Sequence, residues 1–262
     1  MIDEYLKYLT ASGQSQQTLA LRRAHLQRAE RKLGNLTKAS GQELIQYMSA
    51  PDWSREYRRS TRSTLRGFYT WLQLRGQRAD NPALELPRIK PAAAKPRPTP
   101  DIAYKKALKE AAPREALMLL LGAEAGLRRG EVAQIHRKDL LEDLGGYSLL
   151  VHGKGNKERI VPLKDSLAKE VIRVLKDSPN GFLFPGKING HLSAAYIGKK
   201  ISRLMPPGVT MHSLRHRFAT RAYAASSDLL AVQELLGHAS PETTRIYVKI
   251  DRERLRKVAD AA

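Results

Sequence analysis

The sequence predicts a mainly α-helical protein of two domains, with a small antiparallel β-sheet in the second. Three observations carry that reading. Apolar residues recur with helical periodicity in both halves of the chain. Between them, residues 87–100 read PRIKPAAAKPRPTP, with five prolines, four basic residues and no acid, which is the composition of an extended linker. One hairpin signal interrupts the helices beyond it: 147–151 and 159–163 flank the turn-forming HGKGNKE. The expected organisation is a helical domain at 1–86, the basic linker, and a mixed domain at 101–262. No repeat of solenoid length is visible.

In the first domain the periodicity predicts helices at 16–33, 41–48 and 54–75. The third sorts its charges by face. At 100° per residue, Arg55, Arg58, Arg59, Arg62 and Arg66 fall within about 100° of arc, and Tyr57, Leu65, Phe68 and Leu72 gather opposite. One face packs, and the other meets solvent or phosphate. Lys90, Lys95 and Arg97 continue the basic character into the linker. In the second domain, helices are expected near 104–112, 114–125 and 131–135, then, after the hairpin, at 166–175, 194–204, 213–224 and 227–236. A last one starts at Ser240-Pro241-Glu242, where serine caps and proline fits the first turn.

Across 262 residues, 46 Lys and Arg against 26 Asp and Glu give a net charge of +20, with a pI near 10.2. The excess is spread out: 14 basic and 8 acidic residues in 1–86, 4 and 0 in 87–100, 28 and 18 in 101–262. Such a field favours polyanions; the plainer readings are an RNA or ribosomal role, or a cationic surface that keeps the chain soluble. The absence of cysteine removes disulfides, thiolate catalysis and cysteine-ligated zinc. No apolar run reaches the roughly 20 residues that span a bilayer, and Met1-Ile2-Asp3-Glu4 lacks the blocks of a signal peptide, so a cytoplasmic, nucleoid-associated location is expected.

Four segments of the second domain concentrate unusual polar residues: Gly126-Leu127-Arg128-Arg129-Gly130-Glu131, Gly153-Lys154-Gly155-Asn156-Lys157, His212-Ser213-Leu214-Arg215-His216, and Leu236-Gly237-His238, followed nine residues later by Tyr247. Displacement at a phosphodiester concentrates negative charge on the nonbridging oxygens, which two forked guanidiniums, Arg128 and Arg215, are suited to clamp. His212 and Arg215, three apart, share one side of a helix that begins near His212. A tyrosine hydroxyl of ordinary pKa about 10 needs a base or a cationic environment to attack; His212, His238 and the arginines supply both. A lysine at the hairpin tip suits protonation of a leaving oxygen. With no Walker motif and no paired-carboxylate metal site, neither a metal nor another cofactor is expected, and side chains do the work of Mg²⁺.

These segments resemble the tyrosine recombinase, or phage integrase, family. GLRRGE is similar to its first arginine motif, GKGNKER to its β-hairpin lysine, HSLRHRFAT to its H-x-L-R-H motif and LLGHASPETTRIY to its histidine and nucleophile region. Four motifs in order are far more specific than any one. The resemblance covers about 101–262, while 1–86 matches a core-binding domain by position. It implies that Arg128, Lys154, His212, Arg215 and His238 surround the scissile phosphate and that Tyr247 attacks it. The product is then a 3′-phosphotyrosine and a free 5′ hydroxyl; two strand exchanges without ATP pass through a Holliday junction. It also implies a homotetramer on two double-stranded attachment sites, docked through a C-terminal helix near 252–259, with an accessory factor as a further expected partner. Val248-Lys249-Ile250 departs from a Thr-His pair in many relatives, which touches only the packing around Tyr247.

Competing readings are weaker. His212, His216 and His238 are an alternative zinc set, but no cysteine or H-E-x-x-H glutamate accompanies them. His216 reads better as a buttress of its helix, and Tyr196 and Tyr223 as packing residues; Glu131 reads as a carboxylate orienting an arginine, with an ordinary first-turn helix glutamate as the alternative, and Lys157 is a rival to Lys154. Functional alternatives are a catalytically silent DNA-binding protein and a topoisomerase-like relaxing enzyme. Among recombinases, integration or excision of a phage or mobile element is preferred, since the chain starts close to the first core-binding helix with no arm-binding domain. A Xer-like resolvase of chromosome or plasmid dimers is the alternative, suggested by GKGNKER. The tail, Val258-Ala259-Asp260-Ala261-Ala262, resembles C-termini read by AAA+ proteases, with a frayed helix end as the plainer reading.

Overall fold

A computed structural model describes residues 1–91, 98–153 and 157–237. The chain forms two compact units, Met1–Ala93 and Ala94–Ala262, each around its own apolar core.

The first unit is a bundle of four helices: α1 (Ile2–Ala11), α2 (Gln16–Leu33), α3 (Gly41–Met48) and α4 (Arg55–Leu74). The starts of α2, α3 and α4 are fixed by serine. Ser15, Ser40 and Ser54 accept from the backbone N–H three residues on, and Glu43 returns a bond to Ser40. Helix α1 was not anticipated. Its apolar residues, Ile2, Tyr5, Leu6 and Leu9, follow the i, i+3, i+4, i+7 helical pattern over two turns, and tertiary packing holds that face: the Tyr5 ring meets Phe68 and Trp71 at 5.5 and 5.6 Å. Leu65, Phe68 and Leu72 of α4 are fully buried, as their arc predicts.

The second unit is mainly helical around a three-stranded antiparallel sheet, β1 (Leu140–Asp143), β2 (Gly146–His152) and β3 (Glu158–Pro162), in sequence order. The predicted hairpin is β2–β3, paired from Ser148↔Pro162 to His152↔Glu158. Strand β1 adds to the expected pair. Its four residues, two of them acidic, give no strand pattern, yet Asp143 closes the turn by accepting from the Gly145 N–H and the Ser148 hydroxyl. Helices α5 (Asp101–Glu110), α6 (Pro113–Glu124) and α7 (Arg129–Gln134) precede the sheet. Helix α8 (Asp165–Lys176), the short strand β4 (Pro185–Ile188), and helices α9 (Ala194–Leu204), α10 (Met211–Ser226) and α11 (Leu229–Leu236) follow it. Ser227 was expected to begin the last of these. Instead it sits at φ 56°, closing α10, and Asp228 caps α11 by accepting from the Ala231 N–H. Helix α10 packs along α6 and is fastened to the start of the unit: Ser213 accepts from the Thr99 N–H, Arg217 pairs with Asp101, and its guanidinium lies 4.2 Å from the Tyr104 ring centre. The predicted helix from Ser240 and the C-terminal helix near 252–259 lie outside the described residues. Among the described residues no helix is long and apolar enough to cross a membrane.

Candidate active site

The site begins where α6 stops. Gly126 adopts φ 65°, and a Cβ there would lie 2.5 Å from the Phe218 ring, so both the left-handed turn and the contact demand glycine. The turn buries Leu127 and makes Arg128 the N-cap of α7, in extended backbone, with its side chain 42% exposed. Three residues on, Glu131 is buried and accepts from both the Arg128 backbone N–H, at 2.8 Å, and the Arg128 guanidinium, at 2.6 Å. Sequence reasoning expected Glu131 to orient an arginine, and it does so for more than one. Arg159 donates to both its oxygens at 3.0 and 2.8 Å, and the Arg215 guanidinium lies 3.7 Å away. Burial alone raises the pKa of such a carboxyl; the bonds from Arg159, then those from Arg128, outweigh burial and hold Glu131 at about 2.

Helix α10 contributes His212 and Arg215. Arg215 is 1% exposed and forms the floor: it donates to the Gly126 carbonyl at 2.6 Å and to the Leu236 carbonyl at the end of α11. Of the two expected guanidiniums, Arg128 is therefore the open one, and Arg215 gives part of its five N–H donors to backbone. His212 is exposed to the cleft, and its ring meets His216 edge-on with centres 4.3 Å apart. Partial burial, then Arg215 and Arg128, lower the His212 pKa, which leaves its imidazole neutral at pH 7 and able to accept a proton. His216 is pushed further, to about 4, by burial and then by His212 and Arg215, in keeping with a buttressing role.

Arg128, His212 and Arg215 line a cleft of about 530 Å³ together with Arg129, Lys199, Ser202 and Thr210. Arg129, Lys199 and Ser202 were not singled out from sequence. Arg129 lies along α9 at Gly198, where a Cβ would approach its guanidinium to 3.2 Å. Arg159 was also missed, although a signal existed: the alternation of β3 puts Arg159 on the same face as buried Val161, and an inward arginine requires partners. Lys154, His238 and Tyr247 lie outside the described residues, as do Lys95, Arg97, Ala261 and Ala262. The flanks of the first two are described. The Gly153 N–H donates to the Lys157 carbonyl across the base of the hairpin tip, and Gly237, at φ 59°, ends α11 one residue before His238.

In the first unit, the arginines of α4 are not one uniform solvated stripe. Arg55 is exposed. Arg59 pairs with Glu56 at 2.8 Å, Arg58 donates to the Ala50 carbonyl at 2.6 Å, and Arg62 donates twice to the Leu86 carbonyl, at 3.1 and 3.0 Å. Arg58 and Arg62 thus serve the fold by satisfying loop carbonyls. Arg22, Arg59, Arg62 and Arg88 line one cleft of about 520 Å³ between α2 and α4, while Arg66 is half-buried on α4 and Lys90 is exposed.

The cleft gathers the cationic side chains of Arg128, Arg129, Lys199 and Arg215 beside His212, and comparison with known proteins gives the class to which this fold belongs. The chain is 31% identical over its whole length to tyrosine recombinase XerC of Chromobacterium violaceum, covering 93% of that protein. A crystal structure of the XerH site-specific recombinase bound to palindromic difH substrate, a post-cleavage complex, aligns with TM-score 0.70 and 27% identity, over 93% of this chain and 78% of that one. The integrase of mycobacterium phage Brujita aligns over 97% of this chain and 89% of that one, with TM-score 0.50 and 29% identity. The profile of the phage integrase family matches residues 102–254. The chain belongs to the phage integrase family and is a tyrosine recombinase of the Xer-like type.

Proposed function

We propose that this recombinase cuts DNA with Tyr247 and rejoins it between two defined sites. The observation that carries the reading is the convergence of Arg128, His212 and Arg215 on one cleft whose floor is tied to the end of α11, from which the chain runs to His238 and Tyr247. Arg128 and Arg215 hold the nonbridging oxygens, and their charge offsets what develops in the transition state. His212, neutral at pH 7, accepts the Tyr247 proton as the tyrosyl oxygen bonds to phosphorus. The bond from phosphorus to the 5′ oxygen breaks, Lys154 delivers a proton to that oxygen, and His238 adds a hydrogen bond to the phosphate. A 5′ hydroxyl from a partner duplex reverses the step, and two exchanges pass through a Holliday junction, so neither ATP nor metal enters the balance.

In this reading residues 1–86 are a core-binding domain that clasps the duplex with 101–262. Arg55, Arg59, Arg66, Lys90, Lys95 and Arg97 meet phosphate, and the arginines that also cap loops, Arg58 and Arg62, flank them. Four copies assemble on two sites through the segment near 252–259, and an accessory factor sets direction. Integration and excision of a phage or mobile element is the first biological role, supported by the similarity to a phage integrase. Resolution of chromosome or plasmid dimers is the second, supported by the full-length similarity to a XerC protein. The tail at Ala261 and Ala262 is read by an AAA+ protease, so replacing both with Asp lengthens the cellular half-life; an unchanged half-life removes this element.

The experiment is covalent trapping. A duplex that the protein selects from a random pool is nicked so that the short fragment diffuses away after cleavage, and products are resolved on a denaturing gel in EDTA. A shifted protein band, lost in Tyr247→Phe, is expected. No adduct on a duplex that the protein binds would favour a silent DNA-binding protein, and relaxation of plasmid without exchange between two sites would favour a topoisomerase-like enzyme.

A further inference from the structure

Arg159 joins two parts of the site, the Glu131 carboxylate and the end of α11. It stands on the inward face of β3, five residues from Lys154, and its side chain is 8% exposed. The two terminal nitrogens fork onto the Glu131 carboxylate at 3.0 and 2.8 Å, and Nε donates at 2.8 Å to the Leu235 carbonyl in the last turn of α11. Its methylene stem forms the surface on which that turn ends, since a Cβ at Gly237 would lie 2.9 Å from Arg159 Cδ. One planar guanidinium thus spans the carboxylate that orients Arg128 and the end of the helix that leads to His238 and Tyr247.

We infer that Arg159 is a positioning residue for strand cleavage: it fixes the end of α11, and with it the start of the His238–Tyr247 segment, against the Glu131 carboxylate that orients Arg128. This rests on the reading of Tyr247 as nucleophile. The backbone carbonyls of a helix end have no partners within the helix, so α11 is held there by side chains, Arg159 at Leu235 and Arg215 at Leu236. Lysine keeps a positive charge beside Glu131 but has no planar fork with which to bridge carboxylate and carbonyl together. In Arg159→Lys the helix end therefore loses its register relative to Arg128, while the DNA-facing cations stay in place. A misplacement of about 1 Å in such a site costs about 10²-fold in rate.

The test uses the full-length protein and the nicked duplex carrying its selected site. Arg159→Lys is expected to bind that duplex within about twofold of wild type and to form the covalent adduct about 10²-fold more slowly at saturating protein. The defect should persist when the scissile phosphate carries sulfur in place of the 5′ oxygen, because a thiolate leaves without a proton. Wild-type cleavage by Arg159→Lys overturns the proposal, as does a defect that follows affinity. A defect abolished by the sulfur substrate also overturns it, assigning Arg159 to the lysine's proton delivery instead. Should Arg159→Lys lose its fold by circular dichroism, Arg159→Met in a Glu131→Gln background leaves no buried charge in the pair and is compared with Glu131→Gln alone. That step isolates the hold on Leu235 and is expected to slow cleavage further, equal rates overturning the idea. A wild-type protein that forms no adduct sinks the nucleophile reading and this proposal together, whereas a wild-type adduct with unaffected variants sinks this proposal alone.

Discussion

At Glu131 two opposed effects meet: burial, which disfavours the charged carboxyl, and four hydrogen bonds from Arg159 and Arg128, which favour it. The bonds win, because the carboxyl is held at about 2 against an ordinary 4.5. A folded-state pKa below the unfolded value contributes stability that is complete above about pH 4.5 and lost as pH falls towards 2. Glu131→Gln is therefore expected to cost about 3 kcal/mol at pH 7 in urea unfolding, with the gap to wild type closing between about pH 5 and 2. Equal stability at pH 7 would show that the network is not energetically coupled. His216 follows the same sign from a different start. Its pKa lies near 4 against an ordinary 6.5, so the fold loses stability as pH falls from about 6.5 to 4, and His216→Gln should flatten that window in thermal melts. At this scale, legibility followed chemistry. Arg128, His212 and Arg215 were readable because phosphate chemistry needs those side chains in motifs of fixed spacing. Arg159, a few residues along the hairpin motif, was readable only through strand alternation, because its partners lie 28 and 76 residues away in sequence.

The elements were legible where local chemistry decides them and hidden where packing does. Periodicity placed α2, α3 and α4, whose starts serine caps fix; α1 carries the same periodicity over only two turns and packs its ring on α4, and β1 depends on its pairing with β2. The α6–α7 break belongs to the first class, and a pair of glycines measures what it contributes. Gly126 (φ 65°) and Gly208 (φ 81°) both hold left-handed backbone, but a Cβ at Gly208 meets nothing within 4 Å, while one at Gly126 strikes Phe218. Gly208→Ala should cost about 1 kcal/mol, the backbone term alone. Gly126→Ala should cost about 1–3 kcal/mol more by chemical denaturation and slow cleavage, since Arg128 is set by the same turn. Equal costs would mean that Phe218 yields freely. Helix α4 gives a second pair. Arg55 is exposed, so Arg55→Ala should leave stability unchanged and lower the slope of log K against log salt by about 0.9. Arg62 caps the Leu86 carbonyl, so Arg62→Ala should lower the melting temperature as well. Melting curves beside salt titrations separate the two roles, and identical behaviour would return α4 to a uniform solvated face.

For the whole molecule, an apolar core in each unit and a charge excess in every segment fit the proposed reading, in which both bodies hold the polyanion. Each unit buries its own core, so the fragments 1–91 and 98–262 should each melt cooperatively in circular dichroism. Each carries net positive charge and should bind the selected duplex weakly and with strong salt dependence. Joined in one chain, the second unit binds at the effective concentration that the covalent connection sets, so the intact chain should exceed either fragment by about 10²–10⁴ in affinity. Its salt slope should approach the sum of the fragments' slopes, because phosphate contacts add at about 0.9 each. Anisotropy titrations of the three proteins at several salt concentrations measure both quantities. A fragment that matches the intact chain in affinity and slope would place the whole DNA interface on one unit and reduce the other to a passenger in binding.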